Sequence, residues 1–189
     1  MSSTLNVFKE LHQTDKLFIL PNAWDARSAQ LFQEKGFSAV ATSSAAVAGS
    51  LGYEDGEQMP FDDYLFVVRR ILAAVSIPLS VDLEMGYGTT VEEIYKNIRQ
   101  LADLGVAAGA DGIFLPCISA VEDIADAVAQ TRLPLNVMCV PGLPGFEELS
   151  ELGVKRVSMG PFLFNKVYDH IGTLSHAITV ADGFAPLFS

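Results

Sequence analysis

The sequence predicts an α/β protein of the TIM-barrel type, truncated to about six recognisable βα units. Short apolar runs alternate with amphipathic segments, which indicates a parallel sheet covered on its outer face by helices. Polar and acidic residues gather directly after the apolar runs, at Asn22–Asp25, Ser43–Ser44, Asp82–Glu84 and Pro141–Gly142, as a barrel mouth collects its site. No G-x-G-x-x-G follows the first run, so the dinucleotide-binding form of the competing open, doubly wound sheet has little support.

In chain order, β-rich runs predict strands at Leu17–Leu20, Ser38–Thr42, Leu79–Leu83, Gly112–Pro116, Leu135–Cys139 and Arg156–Met159. Helical periodicity predicts Ala26–Lys35, Phe61–Val75, Val91–Leu104, Val121–Gln130, Phe146–Leu152 and a final amphipathic segment over Phe162–Ala181. Asp25 reads as the N-cap of the first of these. Thr90 and Glu93 form a T-x-x-E capping box, with Ile94, Ile98 and Leu101 as the expected buried stripe. A barrel of this type usually has eight strands and about 250 residues. The shortfall falls around Leu104–Asp111, where one helix runs into the next strand almost without a loop.

The chain of 189 residues is 50% hydrophobic and 19% charged, which suits one barrel-like domain over residues 1–189. Its 23 acidic and 12 basic residues leave a net charge of −11, which argues against nucleic acid or an anionic membrane as partner. An anionic substrate remains compatible, because a bound cation reverses the local field. No run reads as a signal peptide or a bilayer span. Cys117 and Cys139 sit in separate strand-like runs, so reduced thiols and a cytoplasmic setting are expected. Cys117 could face the mouth or be a buried, inert thiol.

The sharpest chemical feature is the run from Ile77 to Gly88, where Asp82 and Glu84 follow an apolar strand. Strand positions i and i+2 face the same way, so the two carboxylates should project together. Without a basic neighbour they need a cation or a proton, and hard oxygen ligands suit Mg²⁺ or Mn²⁺. Two solvated strand-end carboxylates would give the same pattern. The small residues Ser43, Ser44 and Ala45 offer backbone N–H groups to an anion, or simply form a tight βα turn. Asp55, in a Gly-rich loop, reads as an acid/base group or as a turn residue. Trp24 could wall a pocket or pack in the core. His12, His170 and His176 lie away from the strand-end loops and receive no catalytic role.

Taken together, LPNAWDARSAQLFQEKGFSAVATSSAAVAGSLGYEDGE, PLSVDLEMGYG, AGADGIFLPC and PLNVMCVPGLPGFEELSELGVKRVSMGP resemble the isocitrate lyase/phosphoenolpyruvate mutase superfamily over most of the chain. The resemblance implies a Mg²⁺-dependent lyase or hydrolase that cleaves or forms C–C or P–C bonds of small α-keto or α-hydroxy acids through a pyruvate-like enolate. It implies Asp82 as metal ligand with Glu84 beside it and Asp55 near the metal. Ser43 would act alongside the backbone of Ser44 and Ala45, which would receive the substrate's oxygens. It also implies a homo-oligomer. The chain departs from the pattern in passing from the third helix directly to AGADGIF. The family's fourth strand, ending in Glu-Asp, and its fifth strand, carrying a substrate-gripping arginine, have no counterpart. A catalytically impaired relative that at most binds a metal or a carboxylate is therefore the alternative.

Overall fold

A single strand-like stretch near the N-terminus belongs to two sheets, and the rest of the architecture is arranged around it. The computed structural model describes residues 4–14, 16–104 and 112–188. Strand β1 (Phe18–Leu20) continues past Pro21 into β2 (Asn22–Ala23). The other strands are β3 (Val40–Thr42), β4 (Leu79–Ser80), β5 (Ile113–Leu115), β6 (Leu135–Met138) and β7 (Arg156–Ser158). One sheet has the order β1-β7-β6-β5 and the other β2-β3-β4, and every pairing is parallel. The strands thus form one parallel row running from β4 through β3, β2/β1, β7 and β6 to β5, an α/β arrangement of the TIM-barrel type.

The helices are α1 (Thr4–Gln13), α2 (Ala26–Glu34), α3 (Ser44–Ser50), α4 (Phe61–Ala74), α5 (Val91–Asp103), α6 (Val121–Gln130), α7 (Phe146–Glu151) and α8 (Phe162–Ala181). Those predicted from periodicity agree to within a residue at their ends. α1 and α3 were not expected; the second is built from small residues with no apolar stripe. The Asp25 carboxylate accepts from Ser28 N at 2.7 Å, and Glu93 closes the expected capping box at Thr90. The α5 stripe is only partly covered: Leu101 is buried, whereas Ile98 is 37% exposed. α5 follows β4, which has a sheet neighbour on one side only among the described residues.

Strand parity separates two environments. Ala23, Val40 and Leu79 pack outward with Val68 and Ile71 of α4, and Leu135, Val137 and Val157 pack outward with Ile124 and Leu149. Leu20, Ala39 and Ala41 face the other way and meet Phe8 and Leu11 of α1, which plugs the end opposite the strand C-termini. His12 lies at that same end, 3.5 Å from Arg156, whose guanidinium burial pulls down to about 10.

β4 and β5 each end a sheet and do not pair with each other among the described residues. The junction at 105–111 lies outside the described residues. Cys117 and Cys139 are both free, as expected, but Cys117 is exposed rather than buried, in the turn that follows β5. No helix among the described residues is long and apolar enough to cross a membrane.

Asn22 couples the two sheets. Its Nδ2 donates to Thr42 O at 2.7 Å, and its Oδ1 accepts from Met159 N at 2.8 Å and Gly160 N at 2.9 Å. Asn22→Ala should lower the unfolding free energy by about 3 kcal/mol, since each buried backbone group left unsatisfied costs about 1–3 kcal/mol. Urea denaturation measures this, and a change within about 0.5 kcal/mol, as for an ordinary surface substitution, would mean that the bridge is dispensable.

Candidate functional site

The site forms where β3 and β4 end. Thr42, the last residue of β3, and Tyr64 of α4 lock the backbone that carries Asp82. Asp82 N donates to Thr42 Oγ1 at 2.9 Å, the Thr42 and Tyr64 hydroxyls lie 2.7 Å apart, and Tyr64 OH donates to the Asp82 carbonyl. Since the single tyrosine proton goes to that carbonyl, the Thr42 hydroxyl donates to the tyrosine oxygen, and the bonds close into a ring. Burial raises the Tyr64 phenol well above its usual range, which keeps this proton in place.

β4 ends at Ser80, three residues earlier than the apolar run suggested, so Asp82 and Glu84 lie on a loop. Alternation along a strand therefore does not orient them. Glu84 adopts φ 48 and Tyr87 φ 54, and the chain turns back on itself there. Asp82 Oδ1 accepts from Glu84 N at 3.3 Å. Its Oδ2 accepts from Ser44 N at 3.2 Å and from Ser44 Oγ at 2.9 Å. Ser43 caps α3 by accepting from Ala46 N at 3.3 Å, so the segment read as a possible turn is a helix start. One of the expected substrate donors, Ser44 N, is thus already engaged by Asp82.

Electrostatics ties the three acidic residues together. The Glu84 carboxyl is raised above its usual range by burial first, with Asp55 and Asp82 adding repulsion and Tyr87 OH, at 3.2 Å, opposing the shift. Burial and the neighbouring Glu84 push the Tyr87 phenol up in turn. Asp55, Asp82 and Glu84 are all exposed side chains. The expected convergence of three carboxylates into a ready cage is not found: among the described residues no three Asp, Glu, His or Cys side chains stand close enough to hold an ion. Asp82 is drawn toward Ser44, which spreads the set. The donor chemistry still fits a hard cation completed by water, because the acidic groups share one field with no Lys or Arg paired to them among the described residues.

Trp24 is half-buried, its ring held edge-on by Phe32 and by Phe164 of α8. That contact is core packing. Sequence reading missed four supports of the site: Thr42, Tyr64, Asn97 and Glu57. Asn97 is the one with a signal, an amide inside the apolar stripe of α5; it is buried and donates to Gly86 O at 3.0 Å and to Tyr87 O at 2.7 Å.

A family model described as phosphoenolpyruvate phosphomutase matches residues 8–108 and 106–179, two segments that meet beside the junction. An uncharacterized protein of Mycobacterium tuberculosis is 28% identical over 211 aligned residues that cover 81% of each chain. That alignment is longer than the chain's 189 residues, so it contains gaps. A 2-methylisocitrate lyase of Salmonella typhimurium is 36% identical over 87 residues, 46% of this chain and 30% of the lyase. The crystal structure of a candidate lyase/mutase from Burkholderia cenocepacia J2315 matches with a TM-score of 0.90 at 25% identity, covering 98% of this chain and 92% of the other.

The raised Glu84 carboxyl makes a signed prediction. A carboxyl raised in the folded state binds its proton more tightly there than in the unfolded chain, so stability falls as pH rises from the usual carboxylate range through the folded value. Glu84→Gln keeps an acceptor for Tyr87 OH and removes the charge. With EDTA present, the variant should be at least as stable as the wild type at pH 7, and its loss of stability between acidic and neutral pH should be smaller. Chemical denaturation across that range reads both. A variant less stable at pH 7 with an unchanged pH slope would show that Glu84 feels no repulsion.

Proposed function

The chain belongs to the phosphoenolpyruvate phosphomutase family, and from that membership we propose a Mg²⁺- or Mn²⁺-dependent enzyme of lyase or hydrolase type. Its substrate is a small α-keto or α-hydroxy carboxylic acid, and a C–C or P–C bond is cleaved or formed through a pyruvate-like enolate. The observation that carries this reading is the acidic field shared by Asp82, Glu84 and Asp55 beside the first turn of α3.

In this proposal Asp82 and Glu84 hold the cation, with Asp55 facing it from the neighbouring loop. A bound divalent cation supplies positive charge to the oxygen that becomes anionic as the bond breaks. Ser44, through its N–H and Oγ–H, keeps one Asp82 oxygen turned toward α3. The backbone at Ala45, next to the Ser43 cap, receives the substrate's carboxylate. Asp55, exposed to solvent, accepts a proton from a substrate hydroxyl at its carboxylate.

One observation favours the alternative, a relative that binds metal or carboxylate without turning over. The family match divides at residues 106–108, and β4 and β5 are the ends of the strand row among the described residues. A fourth and a fifth unit, with the acidic motif and the arginine that the resemblance implies, would lie between them. Self-association belongs to the same proposal, because unpaired strand edges invite further pairing. A reducing, cytoplasmic setting is in keeping with two free thiols.

Incubation with oxaloacetate, 2-methylisocitrate and phosphonopyruvate should release pyruvate or glyoxylate from at least one, and EDTA should abolish it. Calorimetric titration should show Mn²⁺ binding to the wild type and none to Asp82→Asn. Binding without turnover would select the impaired relative, and no binding even with a dicarboxylate present would remove the metal assignment. Light scattering at micromolar concentration should find a dimer or larger; a clean monomer would end the self-association proposal.

A further inference from the structure

The loop that carries Glu84 is held in an unusual backbone conformation. Glu84, Gly86 and Tyr87 all have positive φ, at 48, 110 and 54. A Cβ at Gly86 would stand 2.6 Å from Ile94 Cγ2, so the turn is pressed against α5. Residues other than glycine occupy this region at a cost, and they stay there only when their surroundings hold them. Asn97 holds the carbonyl side of the loop through Gly86 O and Tyr87 O. On the amide side Gly86 N donates to Leu83 O at 2.8 Å, and one atom outside the loop takes two further amides: Glu57 Oε1 accepts from Met85 N at 2.9 Å and from Tyr87 N at 2.8 Å.

Glu57 is two residues past Asp55, across Gly56 at φ 87, and is itself at φ 62. It therefore joins the loop bearing Asp55 to the loop bearing Glu84, which nothing in α5 does. Tyr87, whose amide it holds, stacks on Tyr64 at 5.3 Å and an interplanar angle of 10°, and Tyr64 donates to the Asp82 carbonyl. Glu84 and Asp82 are thus connected to this one carboxylate through named contacts, and Asp55 through the two peptide links of its own loop.

We propose that Glu57 is a positioning residue: by holding two backbone amides of the 84–88 loop, it sets the spacing of Asp55, Asp82 and Glu84 around the cation. This rests on the metal reading above. Its role is that of an acceptor, not of a negative charge or a ligand, because one oxygen takes both N–H bonds and a neutral amide oxygen serves equally well. The variants Glu57→Gln, Glu57→Asp and Glu57→Ala separate these roles. Glutamine keeps the reach and the acceptor, aspartate keeps the charge but is shorter by one methylene, and alanine loses both.

Amide hydrogen exchange at Met85 and Tyr87, followed by NMR in the presence of EDTA, should show protection in the wild type and Glu57→Gln and its loss in the other two. Mn²⁺ affinity should stay within about twofold in Glu57→Gln and fall about tenfold or more in Glu57→Asp and Glu57→Ala, the range typical of outer partners of a metal site. If Glu57→Ala does not fold, Glu57→Asp decides. Wild-type protection retained in the short variants would overturn the clamp. An affinity loss in Glu57→Gln as large as in Glu57→Asp would show that the charge matters instead. Should the wild type bind no Mn²⁺, the metal reading fails by itself, and the exchange data still decide whether Glu57 holds the loop.

Discussion

The side chain of Asn22 spans the division between the two sheets, and the placement of every later strand refers back to it. It donates to the last carbonyl of β3 on one side and accepts from two successive amides beyond β7 on the other. Pro21 interrupts the strand just before it, and Pro21 O still accepts from Ala41 N at 2.8 Å. The chain therefore leaves one sheet and enters the next without losing backbone pairing. An amide is suited to this position because it can donate and accept at once; in a buried setting an aliphatic residue would leave the flanking groups unsatisfied.

Downstream of that junction the site is assembled by groups that fix backbone before they fix charge. The Thr42–Tyr64–Asp82 ring immobilises the residue beyond β4, and Glu57 and Asn97 grip the following loop from opposite sides. Only then do the carboxylates meet one another. Burial of Glu84 and repulsion from Asp55 and Asp82 raise its proton affinity, which means the folded chain stores an electrostatic cost that a cation would relieve. Asp82 partly lowers that cost by turning to Ser44, and the set stands open as a result.

Family membership and the ends of the strand row bear on each other. A closed parallel barrel has no edge, whereas here β4 and β5 each have a single neighbour among the described residues, and the family match divides beside β5. The consequence reaches the outer layer as well, where Ile98 of α5 and Phe114 of β5 are exposed at 37% and 46%. The acidic site adjoins this opening, and its side chains are correspondingly exposed. Binding energy and water exclusion would be harder to obtain at such a mouth than at a closed one.

Local periodicity determined most of the architecture by itself. The helices over 61–74, 121–130 and 162–181 and the parallel strands follow from apolar spacing and caps such as Asp25 and Thr90, because those signals act within a few residues. Asp82 and Glu84 were readable as acidic residues just beyond an apolar run, and Asp55 as an acidic residue of the preceding loop. How Asp82 and Glu84 are oriented was not, since it depends on a loop with left-handed residues and not on strand alternation. Tertiary structure alone decided that Ser44 would be claimed by Asp82, that Trp24 would pack on Phe164, and that Glu57 and Tyr64 would hold the site. Each of those contacts joins residues at least 28 positions apart or pairs a loop with a helix, and no local pattern encodes which distant acceptor a given donor will meet.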